Sequence, residues 1–273
     1  MNGNKLFPNF MAAVNALKEC CGKNVETPPI ARSEVYNETW MLRLTLALIH
    51  DSDLKENAPN ALRLVKSAIM HNWISEGGLE PAFEREGTTW TEAILGDVKI
   101  GDNSKRGIVL APISDGVVIV EAKIGSELAS GITNSSNYNQ AARNIACLAK
   151  RIEGKGNAYY KKCAFLVFAP EVELKEWEKS SVPKPIETAR EVIADQEKES
   201  PQHPKRTHKW NDNTGFWGAV DSIIENSVAL SWENVINSIQ CETNINYLRD
   251  FYAATCKLYG IETPLQHAHS ANS

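Results

Sequence analysis

Apolar residues first recur at helical spacing near the N-terminus. Phe10, Met11, Val14 and Leu17 predict a helix over about 8–22, which Gly22 ends. After the extended link ETPPIARS, a strongly apolar stretch from about Asn37 to His50 predicts a second helix, with Asn37 or Ser33 as its N-cap. A third is expected from about Pro59 to Ile74, ended by SEGG. Near residue 89 the texture changes. TTWTEAILGDVKIG, GIVLAPIS and VVIVEAKI read as three strands of a meander, with GDNS and DG as turns between them. A helix follows over about 138–152. The near-continuous apolar run KKCAFLVFAP then fits a strand covered on both faces, closed by Pro170. From 171 onward EVELKEWEKS, PIETAREVIADQEKES, FWGAVDSIIENS, SWENVINSIQ and NINYLRDFYAATCKLYG read as helices. PQHPKRTHKWNDNTG reads as a polar loop, and QHAHSANS is expected to be a disordered tail.

This order predicts one α/β domain over 1–273, with N-terminal helices in 1–85, an α/β core in 86–170 and a helical region in 171–273. A small sheet would be covered by helices from both ends of the chain. With 42% hydrophobic residues, a substantial core is affordable. No apolar stretch reaches the roughly 18 residues of a membrane helix; the longest, WMLRLTLALIH, carries Arg43. The N-terminus lacks a secretory pattern, and six cysteines without CxxC spacing read as reduced thiols. A cytoplasmic protein with no membrane partner is expected. The net charge of −5 argues against a protein that coats nucleic acid without a specific site. It leaves room for an enzyme with a local basic groove. Arg143, Lys150, Arg151, Lys155, Lys161 and Lys162 form one basic region, and Lys205, Arg206, His208 and Lys209 another.

The chemistry concentrates in VVIVEAKI. On a strand, Glu121 and Lys123 share one face while Val120, Ala122 and Ile124 take the other. A surface ion pair there would be worth little. It would also explain poorly why the pair follows four consecutive β-branched residues. Asp97, in ILGDVKIG, ends the preceding apolar strand, and pairing through the meander is expected to bring it beside Glu121. Asp102 and Asp115 are rivals in turn-like contexts. Two carboxylates and the Ala122 carbonyl would make an oxygen-only site suited to Mg²⁺ or Mn²⁺. Lys123 could then position a water or stabilise developing negative charge.

GDVKIG followed by VVIVEAKI and NYNQAARNIACLAK resembles the PD-(D/E)xK nuclease superfamily, the restriction-endonuclease-like fold. The resemblance makes Asp97 the first acid, Glu121 the second, Lys123 the lysine and Gln140 the downstream helix amide. Tyr138 and Arg143 lie near that amide. Glu38, in YNETWMLRL, matches a Glu that joins the site from an early helix, with Glu34 one turn before it. The match covers about 88–170 plus the helix near Glu38, and the C-terminal third matches nothing. Gly96 stands where the pattern has proline, and 24 positions separate Asp97 from Glu121. The resemblance implies a Mg²⁺- or Mn²⁺-dependent nuclease, with metal held by Asp97, Glu121 and Glu38. Its partner would be nucleic acid, DNA ahead of RNA, in restriction, repair or defence, and a homodimer is common in such enzymes. Two alternatives stay open. One is a module of the same fold that binds nucleic acid or a protein without cutting. The other is an α/β protein whose Glu121 and Lys123 are an ordinary ion pair. Ser126, Ser130 and Ser135 have no histidine partner for a serine hydrolase, and no phosphate-binding Gly loop is present.

Overall fold

In a computed structural model, residues 9–22, 36–83, 88–101, 108–110, 116–126, 128, 138–179, 185–199 and 215–263 are described. Helix α1 (Phe10–Gly22) packs on α2 (Glu38–Asp51). The side chain of Asn37 caps α2, its Oδ1 accepting the Trp40 N–H at 2.9 Å. From Met41 to Ile49 only Arg43 escapes burial, so α2 is a core helix apolar on nearly every side. After β1 (Asp53–Leu54) comes α3 (Asn60–Ile69). Lys66 of α3 donates to the carbonyls of Ile49, His50 and Ser52 at 2.8, 3.0 and 2.7 Å, satisfying the open end of α2.

The third helix is shorter than its apolar pattern predicts, because the chain turns at Asn72. Its amide accepts the Trp73 N–H and donates to the Val98 carbonyl. Residues expected to end a helix instead lie in strand β2 (Trp73–Leu79). Next come β3 (Thr89–Gly96), β4 (Val98–Ile100), β5 (Ile108–Leu110) and β6 (Val117–Ala122). The expected meander is modified: β4 and β5 pair with each other as a side hairpin, and β3 pairs directly with β6. Helices α4 (Gln140–Ile152) and α5 (Asn157–Tyr160) lead to β7 (Ala164–Ala169). The C-terminal part holds α6 (Glu171–Lys179), α7 (Ala189–Glu199), α8 (Phe216–Asn226), β8 (Val228–Ser231), α9 (Trp232–Ser238), β9 (Ile239–Gln240) and α10 (Ile245–Leu258).

The main sheet runs β2-β3-β6-β7-β8, antiparallel as far as β6 and parallel from β6 to β8. It draws its two edge strands from outside 86–170: β2 from the region read as N-terminal helices, β8 from the region read as C-terminal helices. Val118, Val120 and Ala122 face a core built with α1, α2, α3, α9 and α10. Val117, Ile119, Phe165 and Val167 face a second core built with α4, α7 and α8. Every residue of β6 and β7 is buried, as expected for strands covered on both sides. The molecule is thus an α/β protein with a five-stranded mixed sheet flanked by helices. Among the described residues no helix is long and apolar enough to cross a membrane.

Candidate active site

Asp97 does not stand beside Glu121. In an antiparallel pair the end of one strand meets the start of the next, and the register sets Gly96 against Val117. Asp97 therefore lies level with Gly116, whose carbonyl accepts its N–H at 3.2 Å. Glu121 is five residues farther along β6, roughly 16 Å away at strand rise. Asp97 is buried at the opposite end of the sheet, near Cys163. Burial first, then the Asp97 charge, pushes that thiol up to about 12. Gly96 and Gly116 make that end possible. Both have positive φ, and a Cβ on Gly96 would lie 2.2 Å from the Gly116 oxygen. The expectation that Asp97 and Glu121 hold one ion is thus corrected by strand direction. Asp102, Asp115, Glu34, Ser130, Ser135 and the basic region of Lys205, Arg206, His208 and Lys209 lie outside the described residues.

The same register supplies a different acid. Ala93 pairs with Val120, so the next position of β3 across from Glu121 is Glu92. The sequence reading missed Glu92, which sits inside the strand rather than at its end. Counting backwards from the far end of an antiparallel pair would have found it. Its carboxylate accepts the Thr39 hydroxyl of α2 at 2.9 Å. Glu38, the first residue of α2, brings a third carboxylate into the same field. Glu121 and Lys123 do share a face, with Lys123 Nζ 3.8 Å from Glu121 Oε2. They are only 1% and 8% exposed, so this is no surface ion pair. From α4, the Gln140 side chain hydrogen-bonds Glu121. Asn144, one turn on and also missed, donates to Glu121 Oε1 at 3.3 Å and to the Gln140 carbonyl at 3.1 Å.

Glu121 is buried with half-buried Glu38 and Glu92 beside it, and their charges repel one another. Burial foremost, with Glu92 and Glu38 adding to it, pushes Glu121 up to about 8 despite the opposing charge of Lys123. Glu38 is raised too, first by burial and then by Glu92, against the opposing pull of Lys123 and its own hydrogen bonds. Its Oε2 accepts the Ile124 N–H at 3.2 Å and the Ser126 hydroxyl at 3.3 Å, tying α2 to the segment after Lys123. Among the described residues no three His, Cys, Asp or Glu side chains are already gathered around one point. The donor set nevertheless fits a hard divalent cation: oxygen donors only, with an excess of negative charge that burial makes costly.

The segment after Glu121 is held from four sides. Lys123 donates its N–H to the Phe168 carbonyl of β7 at 2.8 Å. Its own carbonyl accepts the Trp232 indole N–H of α9 at 3.2 Å. Glu38 of α2 takes Ile124 and Ser126. Glu173 of α6 accepts the Gly125 N–H at 2.9 Å. Of the basic region in α4, Arg143 donates to Thr89 Oγ1 at 3.1 Å, Lys150 to the Pro81 carbonyl at 2.7 Å, and Arg151 bridges Glu80 at 3.1 Å. Arg143 stands on the first turn of α4, three residues after Gln140. Compared with protein-family models, with curated proteins and with solved structures, the chain finds no match.

Proposed function

We propose that the chain is a Mg²⁺- or Mn²⁺-dependent nuclease of the restriction-endonuclease-like type, hydrolysing phosphodiester bonds of nucleic acid, DNA ahead of RNA. The observation that carries this reading is Glu92 across from Glu121, with Lys123 on the same face and Glu38 at the start of α2. It is the acid, acid, lysine arrangement of the PD-(D/E)xK resemblance, with Glu92 in the place first assigned to Asp97. The element order supports it as well: an early helix bearing Glu38, then three antiparallel strands, then a Gln-bearing crossover helix into a parallel strand. Glu38, Glu92 and Glu121 would hold the ion. When bound, the ion would polarise a phosphoryl oxygen and acidify a coordinated water. The chain does the rest. Lys123 is fixed through its backbone at both ends, so its ammonium can orient the attacking water or meet negative charge on the phosphate. Gln140 and Asn144 hold the Glu121 carboxylate in place.

The test uses supercoiled plasmid, single-stranded DNA and RNA with Mg²⁺ or Mn²⁺. Wild type should cut. Glu92→Gln, Glu121→Gln and Lys123→Ala should each lose about a hundredfold or more. Asp97→Asn should stay within a few-fold of wild type. Cleavage that survives the first three substitutions would overturn the assignment. A second reading, a module that binds without cutting, is favoured by the commitment of Glu38 to Ile124 and Ser126. Under that reading no divalent ion binds in a Glu121-dependent way, and Mn²⁺ titration separates the two.

A further inference from the structure

Among the described residues Glu76 is the one non-glycine held at positive φ, +55°. That backbone is sterically unfavourable for a residue with a side chain. Glu76 lies in β2 directly across from Glu92. The β2–β3 ladder pairs Ser75 with Ala93 and Gly77 with Thr91, but skips the two glutamates between them. Something also changes there in both strands. Ile74 and Leu79, five positions apart, face the same α4-side core. Ile94 faces that core too, and Thr89, five positions before it, touches Cys147 of α4 at 3.4 Å. Strict alternation would send residues five apart to opposite faces. Each strand therefore switches sides once between these residues, where Glu76 and Glu92 stand.

The strained residue is latched. Arg43 of α2 bridges Glu76 at 3.5 Å, donates to Ser75 Oγ at 3.1 Å and lies over the Trp40 ring at 5.1 Å. One turn earlier on the same helix, Thr39 holds Glu92 and Glu38 holds the segment after Lys123. A single helix thus fixes both sides of the break. We propose that Glu76 is a positioning residue for Glu92. Regular alternation would set Glu92 on the Glu121 face alone; the left-handed backbone of Glu76 releases Glu92 from the ladder and draws that carboxylate across toward Thr39 and Glu38 of α2, so that it joins Glu121 to Glu38. The inference rests on the nuclease reading, since it concerns the geometry of that site. An ordinary twist at a sheet edge would instead leave the site indifferent to residue 76.

The decisive comparison is Glu76→Gly, Glu76→Asn, Glu76→Ala and Glu76→Val. Glycine and asparagine accept the left-handed backbone, alanine resists it and valine forbids it. Mn²⁺ affinity is measured by calorimetry, kcat and KM on plasmid, and melting temperature by circular dichroism. Glycine and asparagine should keep Mn²⁺ affinity and kcat within about threefold of wild type. Alanine should lose about tenfold in both with KM unchanged, and valine more. Equal Mn²⁺ affinity and kcat across glycine, asparagine and alanine overturns the inference, even if valine fails to fold. Loss of both in the glycine variant would show that the Glu76 carboxylate, and not its backbone, matters, and overturns it too. A wild type that neither binds Mn²⁺ nor cuts sinks the nuclease reading, and the inference falls with it. A wild type that does both, beside an indifferent series, sinks the inference alone.

Discussion

Glu121 shows how one residue can carry both a cost and a use. A carboxylate on a strand buried on both faces destabilises the fold whenever it is ionised without compensation. Its proton-binding position, raised from 4.5 to about 8, fixes the sign of the consequence. Between those values the folded chain holds a proton that the unfolded chain has released. The contribution is thus favourable below the unfolded value and is lost as pH rises through the folded one. Metal-free protein should therefore lose stability from about pH 5 to pH 8, and Glu38, raised in the same direction, adds to the trend. Urea midpoints in EDTA measure it. Glu121→Gln should flatten the slope, and an unchanged slope in that variant would show that other groups set it.

At the scale of elements, α2 is the organising piece, since its first turn reaches the site and its last turn is closed by Lys66. Lys66→Met removes three hydrogen bonds to carbonyls at the helix end while keeping most of the stem. It should cost about 2 kcal/mol of stability by urea denaturation, with the acidic cluster intact. Helix α2 was legible in the sequence, with Asn37 one of its two candidate caps, because an apolar run with a side-chain cap needs no tertiary information. So were β6, α4 and β7. Strand β2 was not, because the apolar positions of Trp73 and Ile74 continue the period of α3. The helix ends at Ile69, and the side chain of Asn72, bonding forward to Trp73 and across to Val98, sets the start of the strand. Strand β8 was hidden for a similar reason: four residues, VALS, carry no period of their own and owe their shape to β7. Glu121 and Lys123 were found from local pattern and Gln140 and Glu38 from the resemblance, and the fold does bring them together. The acid across from Glu121 was misplaced because a strand's end is visible in sequence while its direction relative to a neighbour is not.

On the scale of the whole molecule, the C-terminal third, silent as sequence, turns out to hold the lysine. Trp232 is fully buried, 109 positions beyond Lys123, and donates its indole N–H to that residue's carbonyl. Its ring packs edge-on to Phe168 at 5.3 Å and lies 6.4 Å from Tyr252. Tyr252 in turn donates to Glu233, which also accepts the Glu171 N–H. The last helices therefore form a buttress that reaches Lys123 through one hydrogen bond and a stack of rings. Trp232→Phe separates these two contributions. The phenyl ring keeps most of the packing, while the Lys123 carbonyl is left without its buried donor. Stability should fall by about 1–2 kcal/mol. If the buttress serves only packing, cleavage by the folded fraction will match wild type. If it fixes the ammonium, kcat should fall about tenfold with KM and Mn²⁺ affinity unchanged, because the three carboxylates are held by α2, β3 and α4 and not by α9.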